Sequence, residues 1–158
     1  MNTTIWTARI TVFLYLTGMG LRLTGNRPRL AKAVWTIGFL MLIAHVAAAF
    51  HFIHHWSHTA AWVRTAEQTE QRLGWYCGGG IWFNYLFLVI WGIDVLLLWS
   101  KIRPSKVLTI MQTYLAFIVV NATAVFGPIW WIPVMIVTGI ILGLLIARTS
   151  QAPTWNDR

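Results

Sequence analysis

The chain has 158 residues, of which 58% are hydrophobic and 10% charged; against an ordinary charged share of about 25%, too few polar side chains remain to cover a water-facing globule. Disorder, collagen and coiled coil are excluded by the same composition, and one cysteine cannot build a disulfide framework within the chain. Twelve Lys and Arg against four Asp and Glu leave a net charge of +8, and the placement of those charges decides what the excess is for.

A helix crosses a hydrocarbon layer about 30 Å thick with about 20 residues, and five apolar stretches of that order can be drawn. The first runs from about Ile5 to Leu21. Its positive charges, Arg22, Arg27, Arg29 and Lys32, follow it rather than precede it, which marks an uncleaved anchor and not a signal peptide. The second runs from about Leu30 to Ile53. Beyond it, Trp62, Ala66, Thr69 and Leu73 recur at helical spacing opposite Arg64, Glu67 and Gln71, the pattern of a short amphipathic helix on the outer side, with Gly74 suited to its C-terminal cap. No Gly or Pro occurs from Phe39 to Leu73, so the second span either continues straight into that helix or bends near Ser57.

Cys77 and the run Gly78-Gly79-Gly80 lead into a third span from about Ile81 to Trp99; without a following Lys-Ser/Thr the glycines are no phosphate loop. The stretch from Val107 to Ala147 is too long for one crossing, and Gly127-Pro128 divides it into a fourth span, about Val107 to Val125, and a fifth, about Ile129 to Ala147. Gly139 and Gly143 on the fifth form a Gly-x-x-x-Gly pair that permits close helix packing. In a four-span alternative, the last stretch makes one crossing and an interfacial helix. The fold expected is therefore all-α: a single integral membrane domain over residues 1–158, a polytopic transmembrane bundle of about five spans with a short amphipathic helix between spans 2 and 3.

Alternation of sides tests this layout. With the 22–32 loop on the cytoplasmic side, Lys101, Arg103 and Lys106 fall there too, as do Arg148 and Arg158. On the outer side Arg64 and Arg72 are offset by Glu67 and Glu70. The N-terminus is expected outside and the C-terminus in the cytoplasm. The basic excess thus orients the chain in a bilayer, which makes lipid its partner and leaves nucleic acid without a role. Trp6, Trp35, Trp75, Trp82, Trp99, Trp130 and Trp131 fall at expected interfaces, where amphipathic rings anchor spans at headgroup depth.

All five histidines, His45, His51, His54, His55 and His58, lie within 14 residues at the outer end of the second span. On a continuous helix, at about 100° per residue, His51, His54, His55 and His58 form one stripe, and His45 faces elsewhere and lies deeper. Imidazoles at i,i+4, here His51 with His55 and His54 with His58, suit a shared transition metal ion such as Zn, Cu or Fe, with Glu67, Glu70 or Cys77 on the same side to complete the shell. The alternative is that these rings are interfacial, hydrogen-bonded to backbone, headgroups and water. His51-x-x-His54-His55 also resembles one histidine box of the integral-membrane non-haem di-iron desaturases and hydroxylases. That family holds its irons with three boxes on several segments, whereas this chain has one histidine-bearing segment. A bis-histidine haem needs ligands from a second helix in the same way.

Arg9, Thr11, His45, Asn84, Tyr85, Asn121 and Thr123 are expected in the outer half of the bilayer, either lining a shared polar cavity or pairing between helices. Asp94, near the inner end of the third span, is expected to pair with Lys32 or to move a proton. Two functions follow: an outward-facing metal site on His51, His54, His55 and His58 used for metal handling or redox work, or a cofactor-free accessory or assembly subunit of a larger membrane complex, in either case with a homo-oligomer or a partner membrane subunit as associate. No nucleophile and base stand at a spacing that supports hydrolysis.

Overall fold

A computed structural model describes residues 2–100 and 105–124, with isolated positions between 127 and 144. Every element among the described residues is helical: α1 (Asn2–Thr24), α2 (Pro28–Phe52), α3 (His58–Leu73), α4 (Gly80–Trp99) and α5 (Ser105–Ala124). Three stretches are long and apolar enough to cross a membrane, Pro28–Phe52, Gly80–Trp99 and Lys106–Ala124. The first expected span is the helix α1, whose 23 residues have the length but not the apolarity, since Arg9, Arg22 and six threonines dilute it. The fifth expected span, its break at Gly127-Pro128, and the basic residues Lys101, Arg103, Arg148 and Arg158 lie outside the described residues or only partly within them.

The threonines of α1 are compatible with an apolar setting because they turn their hydroxyls back onto their own helix. Thr7 donates to the Thr3 carbonyl at 3.0 Å, Thr11 to that of Thr7 and Thr17 to that of Phe13 at 2.8 Å. A link of three residues, with Gly25 at φ +66°, returns the chain into α2, which opens on Pro28 where a missing N–H does no harm. α1 therefore lies along α2; α2 packs on α4, and α4 on both α3 and α5.

The helices are held together by close fit. The fit centres on Tyr15 of α1, Trp35 and Leu42 of α2, Phe87, Trp91, Val95 and Leu98 of α4, and Leu115, Ile118 and Val119 of α5. Trp35, Trp91 and Leu115 are wholly enclosed. Two glycines permit this: a Cβ at Gly38 would stand 3.0 Å from the Trp91 ring, and one at Gly92 3.0 Å from the Phe39 ring. α2 and α4 thus approach through reciprocal notches, each filled by an aromatic ring of the other.

The second helix does not run on through the histidines. It stops at Phe52, and the five residues 53–57 turn the chain into α3. Ser57 caps α3 by accepting from the Ala60 N–H at 3.2 Å. Gly74 ends it with φ +79°, a left-handed conformation that a residue without Cβ adopts freely. The buried face of α3 is Ala61, Ala66 and Thr69, whereas Trp62 and Leu73, both expected on the apolar face, are exposed. Small side chains are what bring α3 close to α4.

Candidate functional site: the histidine corner and the buried ion pair

The chemistry-bearing side chains gather at the two ends of the bundle. At the histidine end, the last turn of α2 widens into the corner: the N–H groups of Ile53 and His54 both reach the Ala49 carbonyl, at 3.0 and 3.1 Å, and Trp56 N–H reaches back to the Phe50 carbonyl at 2.9 Å. His55 and Trp56 sit at φ +49° and +61°. Left-handed backbone costs an L-residue roughly 1–2 kcal/mol, so two in succession make a strained corner, held by the helices on either side of it.

This corner removes the premise of the stripe. His51 is on α2, His54 and His55 are in the turn, and His58 is the first residue of α3, so the 100° arithmetic that aligned the four does not extend past Phe52. Their nearest partners differ, and the Phe50 ring lies among them, 6.1 Å from Trp56 and 6.5 Å from Tyr85. The His51 ring lies 4.7 Å from that of Phe52 and 6.5 Å from that of Trp56. His54 packs edge-on to Phe50 at 5.5 Å. His58 Nδ1 is 2.9 Å from the Tyr85 hydroxyl, and its ring also meets Trp82 at 5.4 Å. His51, His55 and His58 are exposed and His54 is half-buried. Among the described residues no three His, Cys, Asp or Glu side chains form a group able to hold a metal ion.

The His54 ring resists protonation more than a free imidazole. Partial burial, the Arg64 guanidinium and His55 all push its pKa below the ordinary histidine range. A neutral ring is the form that either accepts a hydrogen bond or ligates a metal, so this shift by itself favours neither.

His45 stands apart, as its helical position implies. Its Nδ1 is 3.2 Å from the Thr7 hydroxyl and 3.1 Å from the Thr4 carbonyl, tying α2 to α1. The other polar residues expected in the outer half divide between one interhelical contact and bonds within a single helix. Thr11 and Thr123 bond to their own helices, Tyr85 meets His58, and Asn84 is exposed. Tyr114, not anticipated from sequence, donates to the Phe83 carbonyl at 2.8 Å and links α5 to α4.

At the other end, Asp94 is completely buried and accepts from Arg22 Nη1 at 2.6 Å. The expected partner was Lys32, and the structure corrects it. The Lys32 ammonium lies 5.3 Å above the Trp99 ring, and Trp99 in turn donates its indole N–H to Thr36 at 3.0 Å. Arg22 prevails because it approaches from α1, two residues from that helix's end, and its planar guanidinium can stack while it donates. It lies 4.7 Å over the Trp35 ring. Beneath it, Tyr15, Trp35 and Trp91 form a triangle with centroids 5.1 to 5.4 Å apart. The sequence signal for this pair was the similar depth of Arg22 and Asp94 from the same end of the bundle; reading Arg22 as a loop residue hid it.

Protein-family models, curated proteins and solved structures contain no match to this chain.

Proposed function

We propose that this is a multi-pass membrane protein that works without a cofactor, as an accessory or assembly subunit of a larger membrane complex, and that the histidine corner is its contact surface. One observation carries the reading: Trp56 is 68% exposed on strained backbone between the exposed His51 and His58. Exposed tryptophan on a rigid support is what an interface anchor requires. Five spans, with the N-terminus outside and the C-terminus cytoplasmic, belong to the same proposal and rest on the basic residues at the 22–32 end.

The experiment is photocrosslinking in the native membrane, with a benzophenone amino acid replacing Trp56 and, as reference, Phe13, which is 66% exposed on α1. The reading expects a discrete protein adduct from position 56 and lipid adducts alone from position 13. Lipid adducts alone from both would overturn it and make the corner a headgroup anchor. A second reading, transition-metal handling by His51, His54, His55 and His58, is supported by the lowered pKa of His54 within a run of four imidazoles in eight residues. It requires the corner to rearrange around the ion.

A further inference from the structure

At the end of the bundle opposite the histidines, α1, α2 and α4 leave a small open pocket beside the Arg22–Asp94 pair. Two cationic side chains line it, Arg22 and Lys32, and Leu21, Ala31 and Leu98 supply an apolar wall. Pro28, the first residue of α2, closes one side. No side chain caps that helix start: Arg27 occupies the N-cap position and makes no capping hydrogen bond. The positive end of the helix dipole adds to the field of the two cations.

We propose that this pocket binds the phosphate group of one anionic membrane lipid, with the glycerol and upper acyl carbons against Leu21 and Leu98. Cations beside an apolar wall favour a lipid over inorganic phosphate, since a free anion gains nothing from the leucines. The titratable groups facing the pocket set its charge. Asp94 neutralises Arg22 through the 2.6 Å contact, so Arg22 contributes a directed donor and Lys32 contributes the net positive charge. The Trp99 ring beneath Lys32 restrains the ammonium without neutralising it. Arg29, exposed one turn away and outside the lining, belongs to the general basic surface and serves as the control. This inference is independent of the accessory-subunit proposal and requires only that the bundle sits in a bilayer.

The test is native mass spectrometry of the full chain in mild detergent, titrated with phosphatidylglycerol or with phosphatidylcholine of the same acyl chains. One phosphatidylglycerol should be retained in preference to phosphatidylcholine. Lys32→Gln should weaken that binding about fivefold, the effect of one basic side chain at an anionic headgroup. Lys32→Arg should restore it, and Arg29→Gln should change it less than about twofold. Equal losses in Lys32→Gln and Arg29→Gln would overturn the pocket in favour of diffuse attraction, and equal retention of the two lipids would overturn anion selectivity altogether. If Lys32→Gln does not fold, thermal unfolding of the unaltered chain decides. Phosphatidylglycerol should raise the midpoint with saturation at one equivalent, whereas no rise over phosphatidylcholine, or the same rise with inorganic phosphate alone, contradicts the proposal.

Discussion

Neutralising one member of the Arg22–Asp94 pair should be among the most damaging single changes in the described bundle. Asp94 is wholly buried, and Arg22 is its only ionic partner among the described residues, at 2.6 Å. Asp94→Asn leaves a guanidinium one-fifth exposed, with part of its charge still solvated. Arg22→Met leaves a carboxylate with no solvent contact and a second oxygen, Oδ1, that already lacks a partner. Breaking a buried pair from one side costs about 3–5 kcal/mol, and Arg22→Met should reach the upper part of that range unless Asp94 takes up a proton. The double change Arg22→Met with Asp94→Asn removes both charges at nearly the same volume, so it should recover most of the loss. Reversible unfolding in mixed micelles, followed by tryptophan fluorescence, reads all three. A coupling of at least about 2 kcal/mol between the two sites is expected, and about 0.5 kcal/mol or less for Lys32→Met with Asp94→Asn. Additivity of Arg22 and Asp94, or a coupling that moves to Lys32, would refute the pairing.

Gly38→Val should destabilise by about 1–3 kcal/mol, because its side chain enters the space of the Trp91 ring and of Leu14; the same unfolding assay measures it, and an unchanged midpoint would mean that α2 and α4 are not in contact there. Ser57→Ala should cost α3 about 1 kcal/mol through loss of the cap to Ala60, seen as faster amide exchange in the first turn of α3 and not in α4. The depressed pKa of His54 means that the unfolded corner binds a proton more readily than the folded one. The stability it contributes is present above the ordinary histidine pKa of about 6.5 and is lost as pH falls through that value toward the folded pKa. Arg64→Gln should raise the His54 pKa as followed by NMR, and an unmoved titration would exclude Arg64 as a cause.

The helices were legible because apolar length is a one-dimensional signal: α2, α4 and α5 start and stop within a few residues of where hydropathy and charge place them. Gly74 was legible for a related reason, since left-handed helix ends select glycine. The corner was not. Nothing between Phe39 and Leu73 breaks a helix in composition, and the break is made by a serine cap together with two left-handed residues, His55 and Trp56, that propensity disfavours. Ser57 was the one hint, because its side chain favours a helix start. The ion pair failed for another reason. Depth along a span was readable, but which of two basic residues reaches Asp94 depends on helix rotation and on the Trp35 and Trp99 faces that receive Arg22 and Lys32. Those faces are set by packing among three helices and have no periodic signature.

Metal content decides most directly whether the clustered histidines form a display surface or a metal centre. The chain would be purified without a histidine tag, exposed to equimolar zinc, copper and iron at neutral pH, desalted and analysed for bound metal, in parallel with a form carrying both His54→Ala and His58→Ala. Differing aromatic and tyrosine contacts for these rings predict that neither form retains a stoichiometric ion. One equivalent of metal on the unaltered chain, lost in the double variant, would contradict the account and establish the metal site in its place.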